Sequence, residues 1–201
     1  MHPPLLVVIA SFTMAIFVTL LASGVTGSAM LPDTVTGLLS YVFFTSSFVL
    51  TYFRFQGVAF LRLFRWRGAN RKLMVIFLSG LTAVYCFGVF APAEIEPVDA
   101  EISVITSVIL ITGVVFTGPV FEELFYRGIL FDGLLRKTGT WVASLVLSSL
   151  FALMHYPASL LYAGVFFIYG LLFCALKVKY KSLLYPLVLH ISANLLLLTM
   201  S

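Results

Sequence analysis

The stretch TGTWVASLVLSSLFALMHYPASLLYAGVFFIYGLLFCAL, residues 138–176, decides the fold class, because it contains no Lys, Arg, Asp or Glu. A helix needs about 20 apolar residues to cross a bilayer, so this run is too long for a single crossing. His155-Tyr156-Pro157-Ala158-Ser159 interrupts the run with residues that favour a turn. We therefore expect two helices within it, at about Trp141–Tyr156 and Ser159–Leu176.

The composition of the whole chain agrees with a membrane environment. Of its 201 residues, 61% are hydrophobic and 10% are charged, and the mean hydropathy is +1.11. Soluble domains carry about a quarter charged residues, so the lipid bilayer is the expected solvent and partner. The net charge of +4 arises from short clusters between apolar runs, which is typical of membrane loops. We expect residues 1–201 to form a single integral-membrane domain with no nucleic-acid partner.

Further apolar runs predict an all-α, polytopic transmembrane helix bundle of about seven spans. One run starts near Ile102 and continues, with more polar residues, to about Leu135, and Gly118-Pro119 is expected to kink it. The chain start, Met1-His2-Pro3-Pro4, lacks the basic residues of a secretory signal, so the first run is expected to be a retained helix. The remaining predicted spans are Leu5–Ser23, Val35–Phe53, Leu73–Ala93 and Leu183–Met200.

The placement of the charged residues predicts the orientation. If the spans alternate across the bilayer, 11 of the 12 Lys and Arg residues fall on one face, in Arg54–Lys72, Arg136-Lys137 and Lys177–Lys181. An acidic loop at residues 94–101 falls on the other face. By the positive-inside rule, the basic face and the N-terminus are expected to be cytoplasmic. Within the first cluster, Arg62–Arg71 fits either an interfacial helix on anionic lipid or an ordinary basic loop.

Several ionisable or polar residues occur inside the predicted spans, where they are costly and by default functional. Glu123 and Arg127 are four residues apart on one helix, so they share a face and can pair. Glu122 is rotated by about 100° from Glu123 and is therefore available for chemistry. His190 and Asn194 are also four residues apart, which places an imidazole beside an amide.

The register of the hairpin near Thr138 predicts which of these residues meet. Glu122 precedes Thr138 by 16 residues and His155 follows it by 17. Antiparallel helices that turn at Thr138 would bring Glu122 and His155 to the same level. Phe151 lies one helical turn before His155, so its ring is expected beside the imidazole.

These side chains suit the hydrolysis of an amide by activated water. A carboxylate and a histidine at one level can hold a water molecule and accept its proton. A second histidine and an amide can donate to the oxyanion of a tetrahedral intermediate. No serine or cysteine lies in a nucleophile motif. Zinc bound by Glu122, His155 and His190 is an alternative, but the sequence lacks HExxH and HxxEH, so we expect no cofactor.

Three segments resemble the motifs of a known family. Glu122-Glu123-Leu124-Phe125-Tyr126-Arg127-Gly128 resembles the EExxxR motif of the CPBP family, which includes the Rce1-like CAAX prenyl endopeptidases and relatives described as bacteriocin self-immunity proteins. Phe151-Ala152-Leu153-Met154-His155 resembles its FxxxH motif, and His190-Ile191-Ser192-Ala193-Asn194 resembles its HxxxN motif. The motifs occur in the family's order and cover residues 102–201. Tyr126 stands where a Phe is expected, which is a mild departure.

The resemblance implies a glutamic intramembrane protease. In such a protease Glu122 and His155 would activate water, and His190 and Asn194 would form the oxyanion hole. The substrate would be a membrane-associated or C-terminally anchored protein or peptide. The short chain resembles prokaryotic members, so we expect the plasma (inner) membrane. The positions with a supporting role would be Glu123, Arg127 and Phe151.

Three other functions fit the same residues less well. A non-catalytic immunity or scaffold protein of this fold would keep its function without Glu122. A zinc-dependent variant of the protease would use the ligands named above. A proton- or ion-coupled transporter would need broken helices in paired positions, and Gly118-Pro119 has no counterpart in the first half.

Overall fold

The computed structural model describes residues 33–56, 58–90, 108, 111–155 and 159–200. Within these ranges the chain forms helices, turns and irregular segments and no β-strand, which confirms the all-α prediction. Three predictions lie outside the described residues: the span Leu5–Ser23, the acidic loop at 94–101 and the start of the fourth span at Ile102.

The described part of the chain contains seven helices. Where a helix corresponds to a predicted span, most of its ends lie within a few residues of the predicted ones. In that part, α6 is the one helix whose length and apolar composition suit a bilayer crossing, while α5 and α7 are apolar but shorter. The number of crossings therefore stays a prediction. The helices are α1 (Asp33–Gln56), α2 (Val58–Leu63), α3 (Arg71–Phe90), α4 (residues 111–138), α5 (Thr140–Met154), α6 (Leu160–Tyr180) and α7 (Leu184–Leu198).

The short helix α2 corrects one alternative for the basic stretch. An interfacial helix over Arg62–Arg71 would continue through Arg65 and Arg67, but α2 ends at Leu63. Residues 65–70 have no regular structure. Their backbone groups are instead used in hydrogen bonds with a distant part of the chain, such as that from the Arg67 N–H to the Tyr185 hydroxyl.

Helix α4 changes its hydrogen-bonding pattern along its length. It is π-helical over Ile111–Thr117 and Glu123–Leu130 and α-helical over Gly118–Glu122 and Phe131–Thr138. The change at Gly118 coincides with Gly118-Pro119, where we expected a kink, and Pro119 offers no N–H for a backbone hydrogen bond. π-Helical turns inside α-helices are frequent at functional sites. Here, the boundary between the central α-helical stretch and the second π-helical stretch lies between Glu122 and Glu123.

The described residues divide into two compact units, of which the first contains residues 33–56, 69–90, 108, 111–121 and 189–200. In this unit α1 packs on the first π-helical stretch of α4. The hydroxyls of Thr45 and Thr117 lie 3.0 Å apart. Phe121 packs edge-on against Phe48, with ring centroids 4.9 Å apart. These contacts fix the position of Phe121, which immediately precedes Glu122.

The second unit comprises Val58–Gly68 and Glu122–Val188, and it is built around the packing of α5 on α6. The two helices approach closely at Gly170, since a Cβ atom added there would lie 2.8 Å from the Ser148 Cα. A single residue, Gly139, joins α4 to α5, with φ of +82°. This conformation is in the region that favours glycine. The tight hairpin at Thr138 is therefore confirmed, and it sets the register of Glu122 against His155.

Candidate active site

Glu122 and His155 lie together in the second unit. The Glu122 Oε2 and His155 Nε2 atoms are 3.8 Å apart, and the two side chains are 18% and 25% exposed. The distance is longer than a direct hydrogen bond and short enough for one small molecule to contact both atoms. The two residues meet at one level, as the register of the α4–α5 hairpin predicts.

The end of helix α5 fixes the tautomer of His155. His155 follows Met154, the last residue of α5, and its Nδ1 atom lies 2.7 Å from the backbone carbonyl oxygen of Phe151. A carbonyl oxygen only accepts hydrogen bonds, so Nδ1 carries the proton and donates it. In the neutral ring, Nε2 then presents its lone pair. The atom that faces Glu122 is therefore the basic nitrogen.

Two aromatic rings hold the imidazole. Its centroid is 4.4 Å from that of Phe151, at an interplanar angle of 51°. Phe166, on α6, stacks on the imidazole at 4.3 Å and 25°. The contact with Phe151 was predicted from its four-residue spacing. Phe166 was missed, because nothing in the sequence distinguishes it among 20 phenylalanines.

The adjacent Glu123 faces a different environment. It forms an ion pair with Arg127 at 3.2 Å, and both side chains are completely buried. The Arg127 Nη2 also donates to the backbone carbonyl of Gly170 at 3.4 Å. The predicted pairing is confirmed, and the consecutive glutamates therefore differ in their partners: one faces a guanidinium and the other an imidazole.

Aromatic rings surround the guanidinium of Arg127. Its Cζ atom lies 4.6 Å from the ring centroid of Phe151, 5.0 Å from that of Phe173 and 5.6 Å from that of Tyr126. Cation–π attraction is strongest where water is excluded. Phe151 contacts both Arg127 and His155, so one buried ring connects the ion pair to the Glu122–His155 pair.

His190 and Asn194 lie on α7, in the first unit. The side chain of His190 is buried. The Asn194 Nδ2 donates to the backbone carbonyl of Val114 at 2.8 Å. Asn194 therefore ties α7 to the first π-helical stretch of α4, which is a structural contact in addition to the chemical role predicted for it.

Metal ligation was the alternative interpretation of these residues. Among the residues that the structure describes, no three His, Cys, Asp or Glu side chains group as a metal site would require.

The fold and these side chains define a class of protein: an apolar, all-helical chain that carries a carboxylate–imidazole pair. Comparison with known proteins makes the class specific. Residues 104–196 match the family described as "Type II CAAX prenyl endopeptidase Rce1-like". This part of the chain is thus an Rce1-like domain of the CPBP family, which confirms the resemblance carried by the three motifs.

Two relatives are similar to the chain over longer stretches. "Putative membrane peptidase YdiL" of Bacillus subtilis (strain 168) is 30% identical over 120 residues, which cover 58% of this chain and 47% of the relative. The "Uncharacterized 24.3 kDa protein" of Escherichia coli is 28% identical over 175 residues, which cover 78% of this chain and 79% of the relative. The chain thus spans about half the length of the first relative. No solved structure shows a significant match.

Proposed function

We propose that the chain is an intramembrane endopeptidase that hydrolyses a peptide bond by direct attack of water. The observation that carries the proposal is the approach of Glu122 Oε2 to His155 Nε2, 3.8 Å apart, in an Rce1-like domain. A carboxylate and an imidazole lone pair at this separation can both accept hydrogen bonds from one water molecule placed about 2.8 Å from each. Such a water molecule is held and polarised by two bases.

The proposed reaction needs no covalent intermediate. Glu122 accepts one proton of the water as its oxygen attacks the scissile carbonyl carbon, while His155 Nε2 accepts a hydrogen bond from the second O–H and orients it. The carbonyl oxygen becomes an oxyanion. Glu122 then returns its proton to the amide nitrogen, and the C–N bond breaks to give a carboxylic acid and an amine.

The proposed oxyanion donors are His190 and Asn194. An imidazole N–H and an amide N–H one turn apart can converge on one oxygen. The burial of His190 supports this role, since donors are most effective where water is excluded. An amide has two N–H bonds, so a bond from Asn194 to Val114 is compatible with donation by the other N–H.

We also propose that the enzyme acts in the plasma (inner) membrane of a prokaryote, through about seven spans with a cytoplasmic N-terminus. The membrane-length apolar helix α6 supports this location, as does the name of the first relative, "Putative membrane peptidase YdiL". The proposed substrates are membrane-associated or C-terminally anchored proteins, because such chains can present a peptide bond at the depth of the site.

The test compares the termini of membrane proteins in host cells that carry the wild-type chain or Glu122→Gln. This substitution keeps the size of the side chain and removes the base. We expect the termini that the wild-type chain generates to appear about 10²–10⁴-fold more slowly in cells that carry Glu122→Gln. The two forms of the chain should be present in equal amounts in the membrane. The lost termini would identify the substrates.

Asp132→Asn is the matched control. Asp132 lies on the same helix and pairs with Lys177 at 3.4 Å, so the control removes a carboxylate outside the site. We expect cells that carry this control to show the same membrane-protein termini as cells that carry the wild-type chain. If Glu122→Gln changes no terminus although deletion of the whole chain has a phenotype, the protein acts without catalysis, as an immunity or scaffold protein would.

A further inference from the structure

A basic segment that runs from the end of α2 into irregular chain is hydrogen-bonded to the α6–α7 turn. We call residues 61–68 the basic strap. The Leu63 carbonyl oxygen accepts hydrogen bonds from the Leu183 N–H at 2.6 Å and from the Ser182 hydroxyl at 3.2 Å. The two bonds hold the Leu63 carbonyl against this turn.

One tyrosine anchors the other end of the strap. The Tyr185 hydroxyl accepts a hydrogen bond from the Arg67 N–H at 2.7 Å and donates to the Gly68 carbonyl at 2.8 Å. Trp66 stacks on the Tyr185 ring with centroids 5.6 Å apart and an interplanar angle of 21°. Tyr185 itself is buried. The strap therefore has a defined conformation although residues 65–68 belong to no helix.

The exposed side of the strap combines cations with apolar groups. Arg62, Arg65 and Arg67 are exposed. Leu61 and Trp66 are each 60% exposed, although burying such side chains would be favourable in water. Tryptophan is enriched where a protein surface meets the interfacial region of a bilayer. The strap thus has the composition of a surface that rests on a membrane.

The carboxylates of the same unit are engaged elsewhere. Glu123 pairs with Arg127, and Asp132 pairs with Lys177. Glu122 faces His155. Within the described part of this unit, the three strap arginines therefore form no ion pair with a protein carboxylate, and their charge is available to an external anion.

We propose that the basic strap binds the phosphate headgroups of anionic phospholipid at the membrane surface. Charge complementarity selects the occupant, because three guanidinium groups on eight residues attract an anionic leaflet, and guanidinium groups bind phosphate in a bidentate manner. The exposed Leu61 and Trp66 would lie among the glycerol and upper acyl groups. The inference is independent of proteolysis, since it uses none of the residues of the proposed active site.

Trp66 supplies the test, because the chain has two tryptophans and the other, Trp141, can be removed by Trp141→Phe. This variant is reconstituted in vesicles of phosphatidylcholine and phosphatidylglycerol at one fixed ratio. In one set the phosphatidylglycerol is brominated near the headgroup end of its chains, and in the other an equal amount of phosphatidylcholine is brominated. We expect Trp66 fluorescence to be quenched about twofold more by the brominated phosphatidylglycerol.

Two further variants in this background assign the preference to the strap. In the variant Arg62→Gln/Arg65→Gln/Arg67→Gln, the two brominated lipids should quench Trp66 fluorescence equally. Replacement of the same three arginines by lysine keeps the charge and should keep most of the preference, which excludes an effect of misfolding.

The matched control is Arg54→Gln/Arg136→Gln/Lys137→Gln, which removes the same charge from exposed positions outside the strap. It should retain the full preference. Equal quenching by the two lipids in the parent, absence of quenching by either, or survival of the preference in the strap glutamine variant would overturn the proposal.

Discussion

The Nδ1 atom of His155 lies 2.7 Å from the backbone carbonyl oxygen of Phe151, one helical turn earlier. This contact gives the FxxxH spacing a physical meaning, because the residue that packs its ring against the imidazole also orients it through its carbonyl. The protonated Nδ1 leaves Nε2 as the basic atom, directed to Glu122. In the proposed mechanism, any change that rotates the imidazole should therefore impair water activation without removing a reacting group.

Phe166 provides the first prediction. Its ring stacks on the imidazole of His155 at 4.3 Å, and such aromatic contacts contribute about 0.5–1.5 kcal/mol beyond burial. We expect Phe166→Leu to lower kcat by roughly fivefold with little change in KM, because a mobile imidazole holds water less often. Phe166→Tyr keeps the ring and should restore most of the rate.

The measurement is the initial rate of cleavage of a substrate identified from the termini that Glu122→Gln abolishes. Phe173→Leu is the comparison, since Phe173 contacts the Arg127 guanidinium. If Phe166→Leu and Phe173→Leu change kcat equally, Phe166 supports the fold and does not position the imidazole.

The buried ion pair provides a second prediction. Glu123 and Arg127 are both completely buried, and removing one partner of such a pair typically costs about 3–5 kcal/mol because it leaves an uncompensated charge. We expect Arg127→Met to lower the thermal midpoint in detergent markedly. The double variant Glu123→Leu/Arg127→Met leaves no charge and should be more stable than Arg127→Met alone. A double variant that is less stable than either single variant would contradict this account.

The sequence was sufficient to predict the approach of Glu122 to His155. The uncharged run fixes two consecutive helices, and Gly139 lets the chain turn within one residue. With the α-helical rise of about 1.5 Å per residue on both sides of the turn, counting residues from Thr138 predicts that the two side chains lie near one level, and they meet although Glu123–Leu130 is π-helical. The Glu123–Arg127 pair follows similarly from spacing on a single helix. Local geometry determines all of these features.

Other features depend on contacts that no local pattern records. The stacking of Phe166 depends on how α6 is rotated about its axis, which no spacing along the sequence reveals. The π-helical stretches of α4 differ from an α-helix by a one-residue shift in hydrogen bonding. The strap is held by Tyr185, which follows Arg67 by 118 residues. The sequence therefore left an interfacial helix and an ordinary loop open for Arg62–Arg71, and in the structure the helix ends at Leu63.

Gly170 provides a third prediction, because α5 and α6 leave no space for a side chain there. A Cβ atom would lie 2.8 Å from the Ser148 Cα and 2.9 Å from its Cβ. Overpacking of this kind costs about 1–3 kcal/mol, and it would also displace the carbonyl that accepts from Arg127. We expect Gly170→Ala to lower both the thermal midpoint and the activity.

Gly164 is the matched control on the same helix. A Cβ atom added at Gly164 meets nothing within 4 Å, and alanine is favoured over glycine in a helix by up to about 1 kcal/mol. Gly164→Ala should therefore leave the thermal midpoint unchanged or raise it. If the two variants have the same midpoint, the close approach of α5 and α6 is not a requirement of the fold.

Asn194 provides the last prediction, because its amide has two roles that can be separated. Its bond to the Val114 carbonyl stabilises the first unit, and a hydrogen bond of this kind contributes about 0.5–1.5 kcal/mol. The proposed oxyanion role would add a loss in rate of about 10²–10³ when the donor is removed. We therefore expect Asn194→Ala to show a small fall in thermal midpoint and a large fall in kcat for the folded protein.

Thr199→Ala is the control, because it removes another hydrogen bond of the same region, from its hydroxyl to the Leu196 carbonyl. It should lower kcat by less than about twofold. A loss of stability without a loss of kcat would assign Asn194 to helix packing alone and leave His190 as the remaining proposed donor.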